Sequence, residues 1–177
     1  MKSIITTLLL LCVLSVDAQN NRLWGSIEVG YGYSLTEKKD VYNISYPKNN
    51  SFSSIQAVIG YYVVEKLSIG IGTGLNGYSN PGLNILLLFM NLKFHPFHNK
   101  NIVFSGDLGH SLLTNEDNID AGFQTSISVG YKVYKIKKIN IIPAIGYNFC
   151  QYSVKGIDGI KHNDNRNSVL LKLGLAF

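Results

Sequence analysis

The sequence predicts an all-β fold: an eight-stranded, antiparallel, up-and-down transmembrane β-barrel. Three observations predict it. Apolar residues recur at a period of two in segment after segment, through to the last residue, Phe177; this is the alternation of a strand with one greasy face. The connections between segments alternate between long polar stretches and tight turns, as in barrels that cross a membrane. The aromatic residues of the greasy faces gather at two levels, which an interface on each side of a bilayer selects.

Residues 1–18 read as a secretory signal peptide. Lys2 is its positive start, Ile4 to Val16 its apolar core, and Val16-Asp17-Ala18 a small-x-small site before Gln19. That core falls short of the ~20 residues that cross a bilayer as a helix. Residues 19–177 then form one outer-membrane barrel domain. The net charge is +5, but Lys135, Lys137 and Lys138 are the only basic cluster, so nucleic acid is not expected as a partner. Cys12 leaves with the signal peptide and only Cys150 survives. Without an internal disulfide, an exported domain needs another source of stability. A closed barrel is one.

The strands follow in order. Strand one, about 23–35, sets Ile27, Val29, Tyr31 and Tyr33 against Trp24, Ser26, Glu28, Gly30 and Gly32. Strand two, about 53–63, sets Ile55, Ala57, Ile59 and Tyr61 against Ser54, Gln56 and Gly60. Strand three, 67–76, alternates Leu67, Ile69, Ile71, Thr73 and Leu75 with Ser68, Gly70, Gly72 and Gly74. Strand four, about 84–95, places Leu86, Leu88, Met90, Leu92 and Phe94 opposite Asn84, Asn91, Lys93 and His95. It contains the longest greasy block, Ile85 to Met90, far too short for a spanning helix.

Strand five, 102–112, sets Ile102, Phe104, Leu108 and Leu112 against Ser105, Asp107, Gly109 and Ser111, with His110 interrupting the greasy face. Strand six is the cleanest, with Phe123, Thr125, Ile127, Val129, Tyr131 and Val133 opposite Gln124, Ser126, Ser128, Gly130 and Lys132. Strand seven, 139–150, carries Ile139, Ile141, Ile145, Tyr147 and Phe149. Pro143 lies within it, where its missing N–H predicts a bulge. Strand eight, from Ser168, sets Val169, Leu171, Leu173, Leu175 and Phe177 against Ser168, Lys172, Gly174 and Ala176, with Leu170 out of pattern. The long connections are expected at about 36–52, 77–83, 113–121 and 151–167. The short ones are Glu65-Lys66, Pro96 to Asn101, and Tyr134 to Lys138.

With greasy faces outward, glycine and serine line the crowded lumen of a narrow barrel. The inward set includes Glu28, Lys93, Asp107, Lys132 and Lys172, a candidate network of charges paired across the lumen, because desolvated ions are costly unless paired. A structural plug is the plainer reading of it, and an ion or proton path the sharper one. The outer belt of rings is Tyr33, Phe123, Tyr147 and Phe149; the inner is Tyr61, Phe94, Tyr131 and Phe177.

No constellation requires catalysis. His95 and His98 flank Pro96-Phe97 in a turn, and no metal-ligand spacing accompanies them. His110 and Ser111 beside Asp107 hold the residue types of acyl transfer, yet neighbours in a strand face opposite ways. Gly70, Gly72 and Gly74 lack the helix that would make them a phosphate loop.

The signal peptide, the alternating strands and the terminal Phe177 resemble the small outer-membrane β-barrels of Gram-negative bacteria, the OmpA-like or porin-superfamily eight-stranded barrels. The resemblance covers 19–177 and rests on polarity patterns. It implies a periplasmic location for both termini. It also implies that Leu175 and Phe177 form part of an assembly signal read by the barrel-insertion machinery, with Lys172 standing where that signal has glycine. The expected function is non-catalytic and without cofactor or metal: an integral envelope protein with a structural or surface-binding role. Outer-membrane lipids and an unidentified extracellular ligand are its expected partners. Loops on a rigid scaffold carry recognition, so Tyr42, Tyr46, Lys161 and His162 are the candidate outer-loop contacts. A barrel enzyme acting on membrane lipids and a soluble lipocalin-like carrier of an apolar ligand remain the alternatives.

Overall fold

The computed structural model describes residues 22–35, 51–79, 82–97, 101–114, 119–120, 122–136, 139–155 and 161–177. The signal peptide, and Tyr42 and Tyr46, lie outside them. In chain order the strands are β1 (Leu23–Ser34), β2 (Phe52–Val64), β3 (Leu67–Tyr78), β4 (Leu83–Phe94) and β5 (Ile102–Thr114). Then come β6 (Ile119–Asp120), β7 (Phe123–Tyr131), β8 (Tyr134–Ile136), β9 (Ile139–Lys155) and β10 (Lys161–Ala176). Eight of them are staves, each antiparallel to the next, in the order β1-β2-β3-β4-β5-β7-β9-β10. β10 pairs back onto β1 from Ser26↔Ala176 to Ser34↔Ser168, so the sheet is a closed barrel. Closure pairs every stave on both sides, which is how strands satisfy their backbone where there is no water.

Because staves alternate in direction, the described residues Arg22, Glu65, Lys66, 95–97, 132–136 and Phe177 lie at one end, the terminal end. The opposite ends of the staves form the loop end. Bulky apolar side chains face outward and stay exposed: Val29, Ile59, Ile71, Met90, Leu108, Ile127 and Leu171 among them. Ser26, Gln56, Asn91, Lys93, Asp107, Gln124 and Lys172 face inward and are buried. Polar in and greasy out is the reverse of a water-soluble barrel. Staves of 12 or 13 residues exceed the 9–11 that a tilted strand needs to cross hydrocarbon.

The sixth stave is in three pieces, all paired to β9. β8 holds Ile139 to Ile141, β7 holds Ala144 to Cys150, and β6 holds Ser153 and Val154. The break between β7 and β8 lies opposite Pro143. On the β10 side the register runs unbroken through the proline, opposite Leu173. On the other side, Gly130↔Ala144 gives way to Tyr134↔Ile141, a shift of one residue. The bulge expected in strand seven is thus carried by its neighbour, and β9 stays whole.

Three expectations are corrected. The last long connection was expected at 151–167. Instead β9 and β10 continue pairing to Lys155↔Lys161, so Lys161 and His162 belong to a strand rather than a loop. Once both faces leave lipid, greasy alternation stops marking the ladder although the backbone pairing goes on. Asn84 was expected on the lumenal face, but it shares its parity with Leu86 and is exposed. The lumen was expected to be lined mainly by glycine, serine and a few charges. In fact β4 sends Leu83, Ile85, Leu87 and Phe89 inward, where they are buried with Phe52, Tyr78 and Leu170.

Candidate functional site in the barrel lumen

The ionic cluster is built from four staves. Glu28 on β1 accepts from Lys93 of β4 (3.0 Å) and lies 3.4 Å from Lys172 of β10. Lys172 also pairs with Asp107 of β5 at 2.9 Å and donates to Gln56 Oε1 at 3.2 Å. Asp107 in turn accepts from Asn91 (2.6 Å) and from the Ser126 hydroxyl (2.7 Å). Lys93 is further held by Ser26 Oγ at 3.1 Å and sits 4.1 Å above the centre of the Trp24 ring. The Lys172 side chain is 4% exposed and that of Asp107 9%. Two bases therefore face two acids, each ion with several partners, which is the condition under which buried charge is tolerated. Lys132 lies between β7 and β8 at the terminal end, where its backbone N–H donates to Asn101 O (2.9 Å). The three ion pairs join the other four charged residues.

Towards the loop end the filling changes. A buried amide chain runs from Asn76 to Gln124 (3.2 Å) and on to Asn148 (2.9 Å). Around it sit the Phe52 and Tyr78 rings, 5.0 Å apart, with the Arg166 guanidinium 5.3 Å from the Tyr78 ring centre. The large inward rings lie opposite glycine: Phe52↔Gly32, Trp24↔Gly60 and Phe89↔Gly72. A Cβ on any of these glycines would overlap the ring facing it. Glycine here supplies room on the neighbouring strand, over which the ring lies, rather than a special dihedral.

Two lumenal cavities, of about 20 and 10 Å³, remain. The larger, beside Glu28, Lys93 and Lys172, has room for about one water. Among the described residues no group of three metal-ligating side chains occurs. His110 is on the greasy face and the Ser111 hydroxyl is buried on the other. The imidazole Nδ1 donates instead to the Ser111 backbone carbonyl at 2.8 Å.

Sequence reasoning missed the apolar lumenal residues of β4, because that strand is greasy on both faces and shows no alternation. The signal that could have found them is the set of glycines on the neighbouring strands, Gly72, Gly74 and Gly109. Leu175 is exposed on the outer face. Phe177 exchanges two backbone hydrogen bonds with Gly25, each 2.9 Å, and its ring lies where a Gly25 side chain would be.

No family model matches the chain, and no curated protein matches it in sequence. Two of the solved structures similar in fold are outer-membrane proteins of about the same length. One is the outer membrane protein AlkL in lipid bilayers, at 14% identity and a TM-score of 0.57, covering 89% of this chain and 90% of that one. The other is Neisserial surface protein A, at 10% identity and a TM-score of 0.56, covering 87% and 95%. The fold is that of a transmembrane β-barrel. At these identities the likeness is one of architecture, so the lumenal cluster is argued from its own geometry.

Proposed function

We propose that this chain is an integral outer-membrane β-barrel protein of a Gram-negative envelope, non-catalytic, with a structural or surface-binding role through its loop end. The observation that carries the reading is the direction of the pleat: a belt of exposed aliphatic and aromatic side chains, interrupted at His110, surrounds a lumen packed solid with paired ions, amides and apolar groups. A carrier of apolar ligands needs the opposite arrangement, with a greasy cavity inside. A lipid hydrolase on this scaffold needs a nucleophile and a base on one face, and His110 and Ser111 are on two.

In this reading residues 1–18 are removed on export, both termini are periplasmic, and Leu175 and Phe177 are read during assembly. Fractionation tests the location. The protein should leave membranes only in detergent and migrate differently on gels before and after boiling; release in osmotic-shock fluid would sink the reading. N-terminal sequencing should begin at Gln19. Deleting Phe177 should reduce the unboiled, fast-migrating form, and unchanged assembly would remove it from the signal.

A further inference from the structure

The charges of this barrel are divided unequally between its ends. The lumenal cluster is neutral. Over 35–51, 113–122 and 151–167, the loop end holds seven acids against six bases, so it adds nothing to the net +5. The excess lies at the terminal end, where the described residues Arg22, Lys66, Lys132 and Lys135 face a single acid, Glu65. By sequence, Lys100, Lys137 and Lys138 fall in the same set of connections.

Two details tie part of that charge to the edge of the greasy belt. Arg22 Nη1 donates to the Tyr61 hydroxyl at 3.3 Å, and Tyr61 is a 40% exposed ring of the lower belt. The guanidinium is thus held where acyl chains give way to headgroups. Tyr62 N–H donates to Arg22 O and His95 N–H to Lys66 O, both at 2.8 Å, and the Tyr62 hydroxyl meets His95 Nε2 at 3.4 Å. The backbones of Arg22 and Lys66 are therefore held on one side of the rim, and the Arg22 side chain with them.

The second detail is the one-residue shift opposite Pro143. Along β7 the odd-numbered residues face lipid. After the shift Tyr134 pairs with Ile141 and Ile136 with Ile139, so Tyr134 and Ile136 join the outward face and are exposed. The belt is carried below the staves by a short ribbon that also bears exposed Lys135. Rings and aliphatics beside fixed cations are the pattern of a surface that meets a charged lipid interface.

We propose that the terminal-end rim docks anionic phospholipid headgroups, with Arg22, Lys66 and Lys135 meeting their phosphates and Tyr61, Tyr134 and Ile136 their acyl boundary. The inference rests on the membrane reading above and adds the lipid class and the end at which it binds. An exposed cation near an anionic leaflet favours association by about fivefold per charge at modest salt.

The test is lipid retention by the barrel of residues 19–177, released from nanodiscs of equal phosphatidylglycerol and phosphatidylcholine and weighed by native mass spectrometry. Wild type should retain phosphatidylglycerol at least ~10-fold over phosphatidylcholine, with the preference falling as salt rises. The R22Q/K66Q/K135Q variant should fall close to parity, R22K/K66R/K135R should keep the preference, and K155Q/K161Q at the loop end should leave it unchanged. No preference in wild type, or an equal loss in the loop-end variant, overturns the inference. A barrel that inserts and shifts on boiling but shows no preference overturns this inference alone. Failure to insert in bilayers overturns the membrane reading with it.

Discussion

The two halves of the lumen solve one packing problem by different chemistry. At the terminal half, Glu28, Asp107, Lys93 and Lys172 fill the space with ions whose separations are 2.9–3.4 Å. At the loop half, Phe52, Tyr78, Leu83 and Ile85 fill it with rings and aliphatics. The ionic half is a mutual arrangement: removing one partner strands the others in a place with little water. The apolar half is a set of local fits, with Phe52 lying over Gly32 and Phe89 over Gly72 of the neighbouring strands. The first should therefore be fragile to deletion of charge and the second to change of size.

Breaking the ionic half gives the largest expected effect. Lys172→Met leaves Asp107 and Glu28 sharing only Lys93 as counter-charge, and should cost ~3–5 kcal/mol in urea unfolding followed by gel shift. Restoring neutrality in Lys172→Met/Asp107→Asn should recover a large part of that loss; no recovery would mean that packing, not charge, sets the cost. In the apolar half, Phe89→Ala should cost about 3 kcal/mol, less if water enters, and planar-bilayer recordings should report whether a pore opens. Gly72→Ala should cost ~1–3 kcal/mol by overpacking, and the smaller Phe89→Leu ring replacement should relieve it in the double variant. If the two changes simply add, the ring does not rest on that glycine.

The smallest effect sharpens the same contrast. The buried Ser168 hydroxyl has no hydrogen-bond partner among the described residues, so Ser168→Ala should be neutral or stabilising, within ~0.5 kcal/mol. A larger loss would reveal an ordered water held in the loop half.

The staves were legible because lipid imposes a strict period of two: β1, β3 and β7 begin at the residues that alternation marks. Legibility failed where that pressure is absent. Between 151 and 167 the ladder leaves the greasy band, so nothing in the side chains distinguishes strand from loop. Along Ile85 to Met90 both faces are apolar, and the inward role of Phe89 emerges only once Gly72 and Gly109 stand beside it, and that of Leu87 once Gly74 does. Four of the five charges proposed for the lumen lie on staves, where parity fixes their direction. Lys132 falls at the β7–β8 break, where parity no longer applies.

The seam of the cylinder is made from the two ends of the polypeptide. Ile27 finds Leu175 and Tyr33 finds Val169 only after almost the whole sequence has been made, and Phe177 itself bonds Gly25. The first stave must wait, with one edge and its greasy face unsatisfied, until the last arrives. Contacts so distant along the chain form slowly, and an exposed strand edge invites foreign pairing meanwhile. Until β10 pairs with β1 the cylinder stays open, and its two halves of lumen, ionic and apolar, have no wall to close against.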